Sequence, residues 1–129
     1  MTETNETICV LDDDASVRCS IERLLDSDGF SAETFGHPEE FLAHASQHEV
    51  ALAVLDVWLP EASGLAVQQR LREVSPATRV IVITGREEPG IRAAAMASGA
   101  FAFLVKPFED EAFIALIHQA LHMTTATNE

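Results

Sequence analysis

Short apolar runs alternate with stretches of helical periodicity along almost the whole chain. Thr7-Ile-Cys-Val-Leu11 is an apolar strand that stops at three aspartates. Ser16 to Asp28 carries Val17, Ile21, Leu24 and Leu25 at helical spacing, and Gly29 closes that helix. Phe30 to Phe35 is a second strand, more polar and so nearer a sheet edge. Pro38 opens a helix that turns Phe41, Leu42 and Ala45 inward. Val50 to Leu55 is apolar throughout, as a strand buried on both faces must be, and it stops at Asp56.

The alternation continues. Gly64 to Val74 is helical through Leu65, Val67 and Leu71, and Ser75-Pro76 ends it. Arg79 to Ile83 is β-branched and stops at Thr84. Pro89 to Ser98 is a helix of small residues closed by Gly99. Phe101 to Val105 is the fifth strand, stopping at Lys106-Pro107. Asp110 to Met123 is the last helix, with acids in its first turn. Strand and helix in strict alternation predict a parallel α/β sheet. Residues 1–6 and 124–129 read as polar tails, and 7–123 as one domain that stands alone, without an output domain. Ile91, Met96, Ile114 and Ile117 are expected to be mostly core, with some of them in a partner-facing patch.

Ligands of open α/β sheets bind outside the carboxyl ends of the strands. Those ends carry Asp12, Asp13 and Asp14 after the first strand, Asp56 after the third, Thr84 after the fourth and Lys106 after the fifth. The second strand, ending at Phe35-Gly36, offers nothing polar and reactive. Carboxylates gathered at one edge repel one another. A hard divalent cation with oxygen ligands relieves that conflict. A hydroxyl and an ammonium beside it suit phosphoryl oxygens. An aspartate next to such a cation can act as a nucleophile toward phosphorus. The residues therefore point to a Mg²⁺-dependent phosphoaspartate site.

Composition narrows the field further. The chain has 129 residues, 47% of them hydrophobic and 22% charged, which suits one globular domain. No apolar run approaches the roughly 18 residues of a membrane span. The polar, acidic N-terminus is no secretory signal, and Cys9 and Cys19 make no disulfide framework, so a reducing cytoplasmic setting is expected. With 21 acids against 8 bases the net charge is −13, which disfavours direct nucleic-acid binding. Lys106 is the sole lysine. His44 and His48, like His118 and His122, are four apart on a helix, a spacing that more often reflects packing than zinc.

The fragments Leu11-Asp-Asp-Asp14, Leu55-Asp-Val-Trp-Leu-Pro60 with Ser63-Gly64, Val82-Ile-Thr-Gly85 and Phe103-Leu-Val-Lys-Pro-Phe108 fall in order at the strand ends. Over roughly residues 7 to 122 the chain resembles a response-regulator receiver domain of two-component signalling, with a FixJ-type flavour in Ile-Thr-Gly and Lys-Pro-Phe-Glu-Asp. The resemblance implies a doubly wound sheet of order 2-1-3-4-5, a topology for which the family is itself a reference example. It implies Asp56 as phosphoacceptor, and Asp12, Asp13, Asp56 and the Trp58 carbonyl as ligands of Mg²⁺, with Mn²⁺ as a substitute. It implies Thr84 and Lys106 as phosphoryl-binding groups, Thr84 and Phe103 as switch residues, and a cis Lys106-Pro107 peptide.

Two positions depart from the usual pattern: Trp58, two after Asp56, and Arg86, two after Thr84. Both flank the phosphoryl group in the family and tune its hydrolysis. The implied partners are a sensor histidine kinase or phosphotransfer protein, a downstream protein target, and a second copy upon phosphorylation, with no nucleic acid and no membrane. The implied catalysis is confined to the domain's own aspartyl phosphorylation and dephosphorylation. Two other readings fit parts of the pattern: a pseudo-receiver that binds without phosphorylation, and a haloacid-dehalogenase-type phosphatase using Asp12 and Asp14. A flavodoxin-like nucleotide binder would need a Gly-rich loop after the first strand, which is absent.

Overall fold

Ile8 to Leu11 and Leu52 to Leu55 contain no polar side chain, so burial on both faces is their only favourable placement. In the computed structural model, which describes the backbone of residues 7–126 and the side chains of 7–122, these runs lie at the centre of the sheet. The strands are β1 (Thr7–Leu11), β2 (Ser31–Phe35), β3 (Leu52–Asp56), β4 (Arg79–Thr84) and β5 (Ala102–Val105). The helices are α1 (Ala15–Ser27), α2 (Pro38–Gln47), α3 (Gly64–Val74), α4 (Ile91–Ala97) and α5 (Asp110–Ala126). All strand pairs are parallel, in the order β2-β1-β3-β4-β5 expected from the sequence.

Alternate residues of each strand feed two separate cores. Cys9, Leu11, Ala53, Leu55 and Val82 face α2, α3 and α4, meeting Phe41, Val67, Leu71 and Ala95. Ile8, Val10, Leu52, Val54, Ile81 and Ile83 face α1 and α5, meeting Ile21, Leu25, Phe113 and Ile117. β2 forms one edge, with Ser31 and Glu33 exposed, as its polarity predicts. Burial pushes the Cys9 thiol up to about 12, so it is an inert core group. His44 stacks on His48 at 4.3 Å and lies 5.2 Å from Phe35.

Two helix bounds are corrected, and the structure sorts the four apolar positions named above. The fourth helix starts at Ile91, not Pro89, because Gly90 takes a left-handed φ of 86° that the first helical turn cannot contain. Of the four positions expected to be mostly core with some at the surface, Met96 is 44% exposed, since the short α4 buries only Ala95. The last helix runs to Ala126, past the Met123 read as its end, since extending a formed helix costs little even through threonines. Ile117 is core as expected, whereas Ile91 and Ile114 are half-buried. The tail 1–6, and residues 127–129 of the C-terminal tail, lie outside the described residues.

Candidate functional site

Parallel strands end together, so the groups at the ends of β3 and β4 and just after β1 and β5 share one edge of the sheet. Asp12, Asp13 and Asp56 each present a carboxylate oxygen within 4.8 Å of the others. Asp12 and Asp56 are buried, while Asp13 faces solvent. Lys106 reaches in from the β5 end, with Nζ 3.1 Å from Asp12 Oδ2 and 3.8 Å from Asp56 Oδ2. Thr84, fully buried, closes the edge at the end of β4. The structure thus gathers Asp12, Asp13, Asp56 and Lys106 into one cluster, with Thr84 on the adjoining strand.

Asp12 is held at every polar atom. Its N–H donates to Phe35 O at 3.1 Å, and its Oδ1 accepts the Asp14 N–H at 3.0 Å. Its carbonyl accepts from Arg18 Nη1 at 2.7 Å, and its Oδ2 takes the lysine. Asp14 is different: its carboxylate caps α1, accepting the N–H groups of Ser16 and Val17 at 2.9 and 3.4 Å. Asp14 thus has a structural role as the N-cap of α1, apart from the Asp12, Asp13 and Asp56 cluster.

Burial, aided by the negative charge of Asp12, raises the Asp56 carboxyl from 3.8 to about 6, although Lys106 and the Trp58 N–H oppose the rise. A carboxylate so placed is short of positive charge. Three carboxylates with an oxygen-only donor set fit a hard divalent cation, which would restore the ionised form. Asp12, Asp13 and Asp56 are the residues that would hold it.

Trp58 and Arg86 are in direct contact. The indole Nε1 donates to Arg86 O at 2.9 Å, and the Arg86 guanidinium carbon stands 4.2 Å above the ring. The same Arg86 carbonyl accepts the Thr84 hydroxyl at 2.7 Å. The loops after β3 and β4 are thereby clasped together beside Asp56. Phe103 is buried, with the Arg92 guanidinium carbon 4.7 Å above its ring. The Lys106-Pro107 peptide is cis, as expected.

Some contributions are visible only in three dimensions. Gly64 lies against the Asp56–Val57 backbone, and Gly36 leaves room for the Arg18 guanidinium. Gln68 is buried on α3 and donates Nε2 to Ala95 O at 3.1 Å, tying α3 to α4. Beside Lys106 lies a largely apolar groove of about 510 Å³, lined by Ser16, Ser20 and Leu24 of α1 and by Pro107 and Phe108.

An open α/β sheet with a buried acidic cluster, a lysine and a hydroxyl at its carboxyl edge defines a class of phosphoaspartate-type domains. Residues 8–118 match the response regulator receiver domain family, and the chain belongs to that family. It is 33% identical over 123 residues to response regulator protein TodT of Pseudomonas putida, covering 95% of this chain and 54% of that protein. It is 34% identical over 118 residues to transcriptional regulatory protein FixJ of Bradyrhizobium diazoefficiens, covering 92% of this chain and 58% of that protein. The chain therefore spans a little over half the length of these two relatives. It superimposes on the beryllofluoride-activated NtrC4 receiver domain dimer with a TM-score of 0.87 at 32% identity, covering 91% of this chain and 97% of that one. The chain is thus a response-regulator receiver domain, a module of two-component signal transduction. No helix among the described residues is long and apolar enough to cross a membrane.

Proposed function

We propose that this domain accepts a phosphoryl group on Asp56 from a phosphohistidine of a sensor kinase or phosphotransfer protein and signals through the surface that the change remodels. The observation that carries this reading is the convergence of Asp12, Asp13, Asp56 and Lys106 within ion-pair and ligand distance at one sheet edge. Asp56 is the carboxylate of the set that stands at the end of β3, within 3.8 Å of Lys106 Nζ. A Mg²⁺ ion bound by Asp12, Asp13, Asp56 and the Trp58 carbonyl would supply charge neutralisation for the incoming phosphoryl oxygens. In the transfer, an Asp56 carboxylate oxygen attacks phosphorus as the P–N bond to the donor imidazole breaks. The bonding pair returns to the ring nitrogen, which takes up a proton from solvent. Lys106 holds a phosphoryl oxygen as it leaves the donor.

Thr84 serves as the switch in this reading. Its hydroxyl gives up the Arg86 carbonyl for a phosphoryl oxygen, and Phe103 adjusts in the space beneath. The groove beside Lys106 would admit an apolar partner surface close to the site. The setting is cytoplasmic, the output is through a protein partner or a phosphorelay, and a phosphorylated dimer is one form of that output. Incubation with Mg²⁺ and a small acyl phosphate, followed by mass spectrometry, tests the reading. One phosphoryl group mapped to Asp56 supports it; a folded protein that never takes one favours the pseudo-receiver.

The clasp made by Trp58 sets the lifetime of the product in this reading. The indole and the stacked guanidinium, held on the loops that flank Asp56, would limit the approach of water to its phosphoryl group. Trp58→Asn should lose its phosphoryl group roughly fivefold faster, the equivalent of about 1 kcal/mol. Decay of the phosphorylated form after donor removal measures this. An unchanged decay rate would remove the shielding role.

A further inference from the structure

The second strand contributes no reactive group at the site edge, yet Gly36, which follows it, is shaped around one. A Cβ at Gly36 would stand 2.8 Å from Arg18 Nη1 and 3.3 Å from Arg18 Cζ. The guanidinium occupies the space that the missing side chain leaves. From there it donates to the Asp12 carbonyl at 2.7 Å, the shortest of the four hydrogen bonds that fix Asp12. The choice of partner is informative. Arg18 stands beside a cluster of acids, but its short bond goes to a neutral backbone oxygen.

That oxygen belongs to the peptide joining Asp12 to Asp13. Asp13 sits in the turn between the end of β1 and the start of α1, exposed and outside both elements. Its carboxylate direction depends on the plane of the preceding peptide. Asp12 N–H and both Asp12 carboxylate oxygens are tied to other partners, whereas the carbonyl is tied to α1 through Arg18 alone among the described contacts.

We infer that Arg18, admitted by Gly36, is a positioning residue for the metal site: its bond to the Asp12 carbonyl locks the Asp12–Asp13 peptide so that both carboxylates converge with Asp56. This rests on the reading of the acidic cluster as a divalent-cation site. Arg18 touches neither the cation nor the phosphoryl group. It acts by orienting the groups that do, as outer groups around metal ligands commonly do.

The sign of the effect separates this role from simple electrostatics. Arg18 is a cation near a dication site. If it acted only through charge, its removal would tighten Mg²⁺ binding. If it acts by positioning, its removal weakens binding.

Calorimetric titration with Mg²⁺ alone decides between them, using wild type, Arg18→Ala, Arg18→Lys and Gly36→Ala. Arg18→Ala should weaken Mg²⁺ about tenfold. Arg18→Lys, which retains a donor for the carbonyl, should recover most of that loss. Gly36→Ala keeps the charge but crowds the guanidinium off its seat, so it should also weaken binding. Gly36 lacks a positive φ, and its new methyl would press only on the end of a flexible side chain, so this variant should fold even if Arg18→Ala does not. Melts in chelator confirm folding. Unchanged or tighter Mg²⁺ binding in Arg18→Ala, or in Gly36→Ala where Arg18→Ala is unfolded, overturns the inference while leaving the metal site standing. A wild type that binds no Mg²⁺ overturns the metal site and this inference with it.

Discussion

Asp56→Asn should lose phosphoryl uptake completely and, in metal-free solution at neutral pH, be more stable than the wild type. The first effect follows from losing the carboxylate proposed as the nucleophile. The second follows from the cost of keeping Asp56 ionised. Asp56 is 4% exposed, and its carboxyl rises from 3.8 to about 6 through burial and the charge of Asp12. A carboxyl raised in the folded state favours folding fully below its unfolded value, near pH 4. That contribution fades as pH climbs through about 6. Above that, folding must hold a desolvated carboxylate beside Asp12 and Asp13, with Lys106 as partial relief.

An amide removes this conflict. A gain of about 1–3 kcal/mol is the expected scale at pH 7.5 in chelator. Urea melts from pH 5 to 8 measure it. Wild-type stability should fall across that range more steeply than that of Asp56→Asn. Equal slopes would mean that Asp56 ionises at no cost, contrary to its burial. Mg²⁺ should stabilise the wild type by mass action and the variant much less.

Gly64→Ala should be the most damaging single methyl in the loop that carries the site. On helix propensity alone the change should stabilise, since alanine is favoured over glycine by about 1 kcal/mol. The geometry reverses that sign. A Cβ at Gly64 would collide with the Asp56 carbonyl oxygen, and it would stand 2.8 Å from the Asp56 carbonyl carbon and 2.9 Å from Val57 Cα. All three are backbone atoms, so no rotamer change relieves the contact. The loop is closed tightly here by Gly64 N–H donating to Val57 O at 2.8 Å and by the bridge between Trp58 and Ser63. Relief requires α3 to back away or the Asp56 strand end to tilt. A loss of about 3 kcal/mol, with weakened Mg²⁺ binding, is expected. A melt matching the wild type would show that the loop has slack.

The fold was legible in the sequence because the buried strands have no polar residues to confuse their pattern and because Gly29 and Gly99 stop their helices cleanly. The acids, threonine and lysine were legible because a parallel sheet delivers its strand ends to one edge. What escaped depends on the path of loops. The Trp58 indole and the Arg86 carbonyl are 28 residues apart in the chain, and nothing in either neighbourhood announces their contact. Arg18 reads as an ordinary helix-surface cation until the space at Gly36 is seen. Gly64 reads as the start of a helix, and only the fold-back of the loop shows why a side chain is excluded. Met96 has the hydrophobicity of a core residue, but on a helix of seven residues with one buried position it faces out. Asp14 was grouped with its acidic neighbours, although the helix that follows explains it as a cap.

Trp58 is the only tryptophan in the chain, and it lies two residues after Asp56 with its ring clasped by Arg86. Its fluorescence, followed during a Mg²⁺ titration and then on addition of beryllofluoride, is the most direct test of Asp56 as phosphoacceptor. The expected result is a saturable Mg²⁺ response in the wild type and a second change with beryllofluoride that Asp56→Asn lacks. A beryllofluoride response identical in Asp56→Asn, or none in folded, Mg²⁺-saturated wild type, would contradict that assignment.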